Sequence, residues 1–420
     1  MKIKQYKSGL RVVVNTKKDL DIVSFRIFVK AGSCHEKQNQ YGVAHFLEHM
    51  FFKSTPKHSY QQLSTLFDEM GTQKNAYTGV CNTCYYFKCL LNTFDKSLEL
   101  FSEMFFNEEY DAQELSNEKK VILEEYKMGN DDTEKKCITN AYRSLFNNTT
   151  FEHDVIGTPQ NIKAFSQQDL IDFKKEYYLP HNMVISVSGN VSIAQVEKLL
   201  KKHFSQLFDG EFAQEFKLPP YLTLNPKTQF VVSKKDNEQS TVYILMDLGK
   251  KTNRQMYVFD LLFAILGYGM SSKFFNIIRG EKALVYNIDA DTTTVGDNNL
   301  AEIMFATSTD RVGEALTELL KIFKACAEGE ITAEELEKSK NKYIAGMVYS
   351  TETNGGITMR NGSDLISDNK IETFKQITAD INSVSLEEII SCAKEVYINK
   401  NYVVSAVGKC QRKDLLCFKH

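Results

Sequence analysis

Three residues within one five-residue stretch, His45, Glu48 and His49 of HFLEH, have the types and spacing to do chemistry together. Histidines four apart share one face of a helix, where two imidazoles can ligate a single ion. The pattern is H-E-x-x-H written backwards, and it sets a carboxylate beside a ligand, where it could take a proton from water. A catalytic zinc site needs at least one more protein ligand. The acidic stretch NEKKVILEEYKMG offers Glu118, Glu124 and Glu125. Glu118 and Glu125 are two helical turns apart and can point the same way, one as a ligand and the other as the group that orients one, whereas Glu124 is rotated by about 100°. The apolar flanks of HFLEH favour a buried helix, where three unligated polar groups would be costly.

These residues need a scaffold, and alternation and periodicity outline one. LRVVVNT and IVSFRIFVK read as adjacent strands, AHFLEHMFF as a helix, TCYYFKCLL as a strand, and residues from about Ala112 to Met128 as a long helix. Runs of strands followed by runs of helices argue for an α+β fold, with helices layered on antiparallel or mixed sheets. The chain also repeats itself. SQQDLIDFKKEYYLPHNMVISVSGN, from Ser166, aligns with SLEEIISCAKEVYINKNYVVSAVGK, from Ser385, at an offset of 219 residues. A weaker echo aligns Ala112–Leu115 with Ala333–Leu336. Each half therefore reads as a copy of one domain, with the proline-bearing stretch from about Asp209 to Lys227 as a linker or extended crossover. The expected division is residues 1–208, a linker at 209–227, and residues 228–420. Shifted by the repeat, the two histidines fall on positions with no ligand type, so the metal belongs to the first copy alone.

Composition narrows the function classes. At 420 residues the chain exceeds the usual reach of one core, and its 42% apolar and 25% charged residues suit a globular protein. A net charge of −3 without a basic, aromatic-interleaved stripe speaks against nucleic acid as a partner. No apolar run approaches membrane-spanning length, the amino terminus enters a strand pattern at once, and the nine cysteines are odd in number and scattered. A cytoplasmic protein with reduced thiols and no membrane partner is expected.

The motifs together resemble the pitrilysin-like, or inverzincin, zinc metallopeptidases, in particular the compact two-domain type related to the mitochondrial processing peptidase. The resemblance covers nearly the whole chain and rests on YGVAHFLEHMFFKST, on the distant acidic residue, and on the E-x(6)-E pair ending in it. It implies His45, His49 and Glu125 as ligands of one zinc ion, Glu48 as general base and Glu118 as the carboxylate behind a ligand. GTQKNAYTG resembles the family's edge strand, on which Asn75 and Ala76 would bind the backbone of a peptide substrate by β-augmentation. SSKFFNIIRGEKALVYNID resembles its R-x(6)-Y segment, in which Arg279 and Tyr286 would hydrogen-bond the substrate carbonyl, with Tyr286 as an oxyanion donor. The fold implied is two duplicated α/β-sandwich domains, each a mostly antiparallel sheet layered with helices, forming a clam-like chamber. The activity implied is that of a zinc-dependent endopeptidase acting on unfolded peptides, as a homodimer; the alternative is a non-catalytic or partner subunit of a peptidase complex.

Other features are assigned no chemistry. Cys81 and Cys84 form a C-x-x-C without a matching second pair, Gly249-Lys250-Lys251-Thr252 lacks the leading glycine of a phosphate loop, and Gly355-Gly356 reads as a flexible loop.

Overall fold

The computed structural model describes residues 1–18, 21–210 and 228–418; most of the expected linker, residues 211–227, lies outside the described residues. The first half contributes strands β1 (Lys2–Gln5), β2 (Arg11–Thr16), β3 (Ile22–Val29), β4 (Gln73–Thr78), β5 (Thr83–Leu90) and β6 (Met183–Gly189). Its helices are α1 (Val43–Phe51), α2 (Tyr60–Glu69), α3 (Phe94–Phe106), α4 (Ala112–Asp131), α5 (Thr133–Leu145), α6 (Pro159–Ala164), α7 (Gln167–Tyr177) and α8 (Ile193–His203). The second half contributes β7 (Gln229–Lys234), β8 (Gln239–Gly249), β9 (Ile288–Val295), β10 (Asn298–Ser308) and β11 (Tyr402–Gly408). Its helices are α9 (Asn253–Gly267), α10 (Val312–Ala327), α11 (Ala333–Tyr349), α12 (Asn354–Asp368), α13 (Phe374–Asn382) and α14 (Leu386–Ile398). Among the described residues no helix is long and apolar enough to cross a membrane.

The strands form two mixed sheets, ordered β1-β2-β6-β3-β5-β4 and β7-β11-β8-β10-β9. Each is antiparallel except for one parallel pair, β2 with β6 and β7 with β11. The expectation that β2 and β3 are neighbours fails, because β6 lies between them, parallel to β2 and antiparallel to β3. That pairing brings a strand from 150 or more residues downstream, which local alternation cannot register.

The repeat is a structural one. Ser166 and Ser385 each cap a helix with a capping box, and each helix leads to a fully buried strand, β6 or β11. Both strands end on glycine at φ 154°, Gly189 and Gly408, where an added Cβ would come within 2.6 Å of the Ile22 carbonyl or 2.4 Å of the Ser240 hydroxyl. Ala112 and Ala333 likewise open α4 and α11.

The compact units do not coincide with the two sequence halves. The first unit comprises Met1–Tyr126, the described part of Asp154–Leu218, and Val348–Glu372, while Lys127–His153 belongs to the second. The expected cut at 209–227 is therefore crossed by two helices, α12 and α5. Along β3, Phe25 and Ile27 face the large core with Phe46, Phe87 and Phe101. The opposite face, Ser24, Arg26 and Phe28, is covered by α12: Thr358 bonds Ser24 at 3.1 Å and accepts from Arg26 at 3.2 Å, and Leu365 and Ile366 pack with Phe28, Val13, Cys84 and Val184. Gly355 and Gly356 are thus no loop but the first turn of α12, where the Thr353 hydroxyl accepts from the Gly356 N–H. In the second unit α5 covers one face of the sheet, with Tyr142 donating to Glu302 at 2.7 Å and the Cys137 thiol to the Ser405 carbonyl at 3.1 Å. The other face packs on α9, α10 and α14 through Leu262, Leu319 and Ala393.

Candidate metal centre

α1 begins on Gly42, which has no side chain to cap the helix, and the Glu36 carboxylate supplies the cap. It accepts from the Gly42 N–H at 2.8 Å and the Ala44 N–H at 2.9 Å, setting negative charge at the positive end of the helix. Val43, Phe46, Leu47 and Met50 bury one stripe of α1, which leaves His45, Glu48 and His49 toward α4 and β4. α4 is held to the end of α1 by polar ties: Glu114 accepts from the backbone and hydroxyl of Ser54 at 3.0 and 2.6 Å, and Glu118 accepts from Lys53 Nζ at 2.5 Å.

This docking brings His45, His49 and Glu125 together, each offering one ligand atom within 4.8 Å of the others. Glu125 Oε1 lies 3.7 Å from His45 Nε2, and its Oε2 lies 3.5 Å from His49 Nε2. A zinc ion about 2.0–2.2 Å from nitrogen and oxygen ligands fits separations of that size. The tautomer of His49 fits as well. Its Nδ1 donates to Glu118 Oε1 at 2.7 Å, and since a carboxylate only accepts, Nδ1 carries the hydrogen and Nε2 is directed to the cluster. Glu124 is not part of the cluster.

The electrostatics follow from the neighbours. Burial disfavours the charged His49 imidazolium, but bonds to Glu118 and Glu125 outweigh it and raise its pKa to about 9 in the metal-free protein. Burial alone would raise the Glu118 carboxyl, yet His49 and Lys53 bring it below its ordinary value. The Glu48 carboxyl is raised, first by burial and further by Glu125, against the lowering bond from Thr78, whose hydroxyl donates to Glu48 Oε2 at 3.0 Å. A carboxylate raised in this way is suited to accepting a proton near neutrality.

Asn75 and Ala76 lie on β4, the edge strand of the first sheet. The Asn75 side-chain oxygen accepts from the Ala76 N–H at 2.9 Å, so an edge donor is bonded by its own neighbour. In the second unit Arg279 sits in a π-helical turn, Phe275–Glu281, with its guanidinium 4.4 Å from the Phe275 ring centre and 5.3 Å from that of Tyr286. Between them Ala283 adopts φ 48°, a left-handed conformation uncommon for a residue with a Cβ, and Tyr286 is 79% exposed. Such turns and strained residues concentrate at functional sites. Sequence reasoning did not single out Thr78, Lys53 or Glu36. Lys53 lies just past the end of α1, and, like Thr78 and Glu36, it approaches only through tertiary contacts.

Residues 11–159 match the model of the Insulinase (Peptidase family M16) domain, and residues 164–343 that of the Peptidase M16 inactive domain. The chain belongs to the pitrilysin-like M16 peptidase family. Similar full-length relatives include an uncharacterized zinc protease, YmxG, of Bacillus subtilis, 28% identical over 97% of this chain and 98% of that protein. Another, from Mycobacterium leprae and also described as an uncharacterized zinc protease, is 26% identical over 97% of this chain and 92% of its own length. Among solved structures, a Helicobacter pylori protease superimposes with a TM-score of 0.88 at 23% identity, covering 97% of this chain and 99% of that one. A Pseudomonas fluorescens structure described as a peptidase M16 inactive domain reaches 0.88 at 16% identity, with 98% of both chains covered. These likenesses extend to the two-domain α+β fold.

Proposed function

We propose that this member of the M16 family is a zinc-dependent endopeptidase that hydrolyses unfolded peptides through water activated by Glu48. The observation that carries the reading is the convergence of His45, His49 and Glu125 with Glu48 on the same helix. One zinc ion held by these three ligands would supply Lewis acidity to the scissile carbonyl and lower the pKa of water at the site. Glu48 takes the proton of the attacking water and passes it to the leaving amine, and Thr78 holds its carboxylate in place. Glu118, anchored by Lys53, fixes the ring of His49. The peptide adds to the edge of β4, its backbone replacing the internal bond between Asn75 and Ala76. Arg279 and Tyr286 are assigned to the substrate carbonyl, with the exposed Tyr286 hydroxyl as oxyanion donor. The active form is read as a homodimer, which sedimentation of the purified protein checks.

Glu48→Gln keeps the shape of the side chain and removes the base. The variant should bind zinc as the parent does and lose about 10²–10⁴-fold in cleavage of a mixed peptide library. Undiminished cleavage would sink the mechanism. A parent protein that binds zinc and cleaves nothing in that library would support the partner-subunit reading instead.

A further inference from the structure

The C-x-x-C at Cys81 and Cys84 does not act as a unit, because its two thiols go separate ways. Cys84 is buried against α12 and accepts from Arg26 Nη1 at 3.8 Å. Cys81 lies in the turn between β4 and β5, half-buried, and its sulfur is 3.7 Å from that of Cys34. Cys34 is 2% exposed and lies in the short segment leading to the Glu36 cap of α1. Two backbone bonds hold the segments together: Ser33 N–H to the Gly79 carbonyl at 3.3 Å and Cys34 N–H to the Val80 carbonyl at 2.9 Å. Only glycine permits this approach at position 32, since a Cβ there would come within 2.4 Å of the Gly79 carbonyl oxygen and 2.6 Å of that of Val80.

We propose that Cys34 and Cys81 are a redox-active thiol pair, a modification site at which a hydroperoxide converts the two thiols to a reversible disulfide. The S–S bond is about 2.05 Å long, so each sulfur has to move by less than about 1 Å, within reach of side-chain rotation on a fixed backbone. The order of events follows from exposure and from the bond between the sulfurs. Cys34 donates its S–H to Cys81 and is buried, and both effects keep it protonated, which leaves the half-buried Cys81 as the more accessible sulfur to meet the peroxide first. The Cys81 sulfur attacks the O–O bond of hydrogen peroxide; an S–O bond forms, the departing hydroxide takes up the Cys81 proton as water, and the sulfur loses two electrons to the peroxide. The Cys34 sulfur then displaces hydroxide from the Cys81 sulfenic acid, and its proton leaves as water. In sum, two thiols and one peroxide give one disulfide and two waters. A dithiol reductant reverses the change by exchange.

The ring so closed runs from residue 34 to residue 81 and encloses His45, Glu48, His49, Asn75 and Thr78. It ties the segment that caps α1 to the hairpin whose Thr78 holds Glu48. Neither thiol ligates the metal, so the proposal stands or falls independently of peptidase activity.

The test treats the full-length protein with hydrogen peroxide, alkylates the remaining thiols, and maps cysteines by mass spectrometry. Two of the nine cysteines should become protected, recovered as one Cys34–Cys81 cross-linked peptide that dithiothreitol abolishes. The oxidised protein should unfold about 5 °C higher than the reduced one, as expected for closing a loop of this length. In Cys34→Ala, Cys81 should stop at a sulfenic acid that a dimedone probe labels. Recovery of Cys81 as sulfinic acid beside an alkylated Cys34, or a cross-link of either to another cysteine, would overturn the proposal. The mapping on the parent protein decides the matter even if the variant folds poorly.

Discussion

His49 ties the candidate centre to solution pH. Its metal-free pKa of about 9 lies above its ordinary 6.5, because Glu118 and Glu125 outweigh burial. The pairing therefore contributes stability to the metal-free protein fully below pH 6.5, and this contribution is lost as pH rises through about 9. A metal at Nε2 must displace the proton. Zinc affinity should accordingly climb by close to tenfold per pH unit up to about pH 9, with proton release visible by calorimetry in buffers of differing ionisation enthalpy. Glu118→Gln, which removes the carboxylate behind His49, should flatten that climb and weaken zinc binding by about 10–100-fold. An affinity equal at pH 7 and pH 9 would contradict the assignment of His49 Nε2 as a ligand atom. The five residues His45, Glu48, His49, Glu118 and Glu125 are legible because helical spacing is a local property; Thr78, on another element, is not.

At the scale of elements, the unexpected feature is α12, a glycine-bearing helix from the second half lying on the first sheet. An added Cβ at Gly362 would fall 2.0 Å from Cε2 of Phe28. Gly362→Ala should therefore destabilise the first unit by about 1–3 kcal/mol, since Phe28 is fully buried among Val13, Val184 and Leu365 and has nowhere to turn. Urea unfolding followed by tyrosine fluorescence measures this, and an unchanged midpoint would show that the helix does not press on β3. The sequence of α12 begins with Asn354-Gly355-Gly356, residues of poor helix propensity, and reads as a loop. Its helix is stabilised instead by burial of Leu365 and Ile366, by Thr353 at its start, and by the contacts of Thr358 with Ser24 and Arg26.

At the scale of the whole molecule, exchange of α5 and α12 between halves makes each compact unit depend on both parts of the chain. A fragment of residues 1–208 keeps every candidate metal ligand but loses α12, leaving Val13, Phe28, Cys84 and Val184 uncovered. Expressed alone it should bind a hydrophobic dye and aggregate, and coexpression with residues 209–420 should restore soluble protein. A monodisperse, cooperatively unfolding 1–208 would refute this dependence. The expected division at 209–227 follows composition and the repeat, and both are blind to which sheet a helix finally covers.

What the sequence determined by itself is what local periodicity and repetition encode: the α1 face bearing two histidines and a glutamate, the acidic stripe of α4, the strands β2, β3 and β5, and the duplication marked by Ser166 and Ser385. Only the tertiary structure decided that β6 separates β2 from β3, that α5 and α12 trade places, that Thr78 reaches Glu48, and that Cys81 turns from Cys84 to Cys34. The physical reason is common to all four. Each depends on contacts between residues distant in the chain, whose pairing is chosen by the global burial of apolar surface and leaves no short-range period to read.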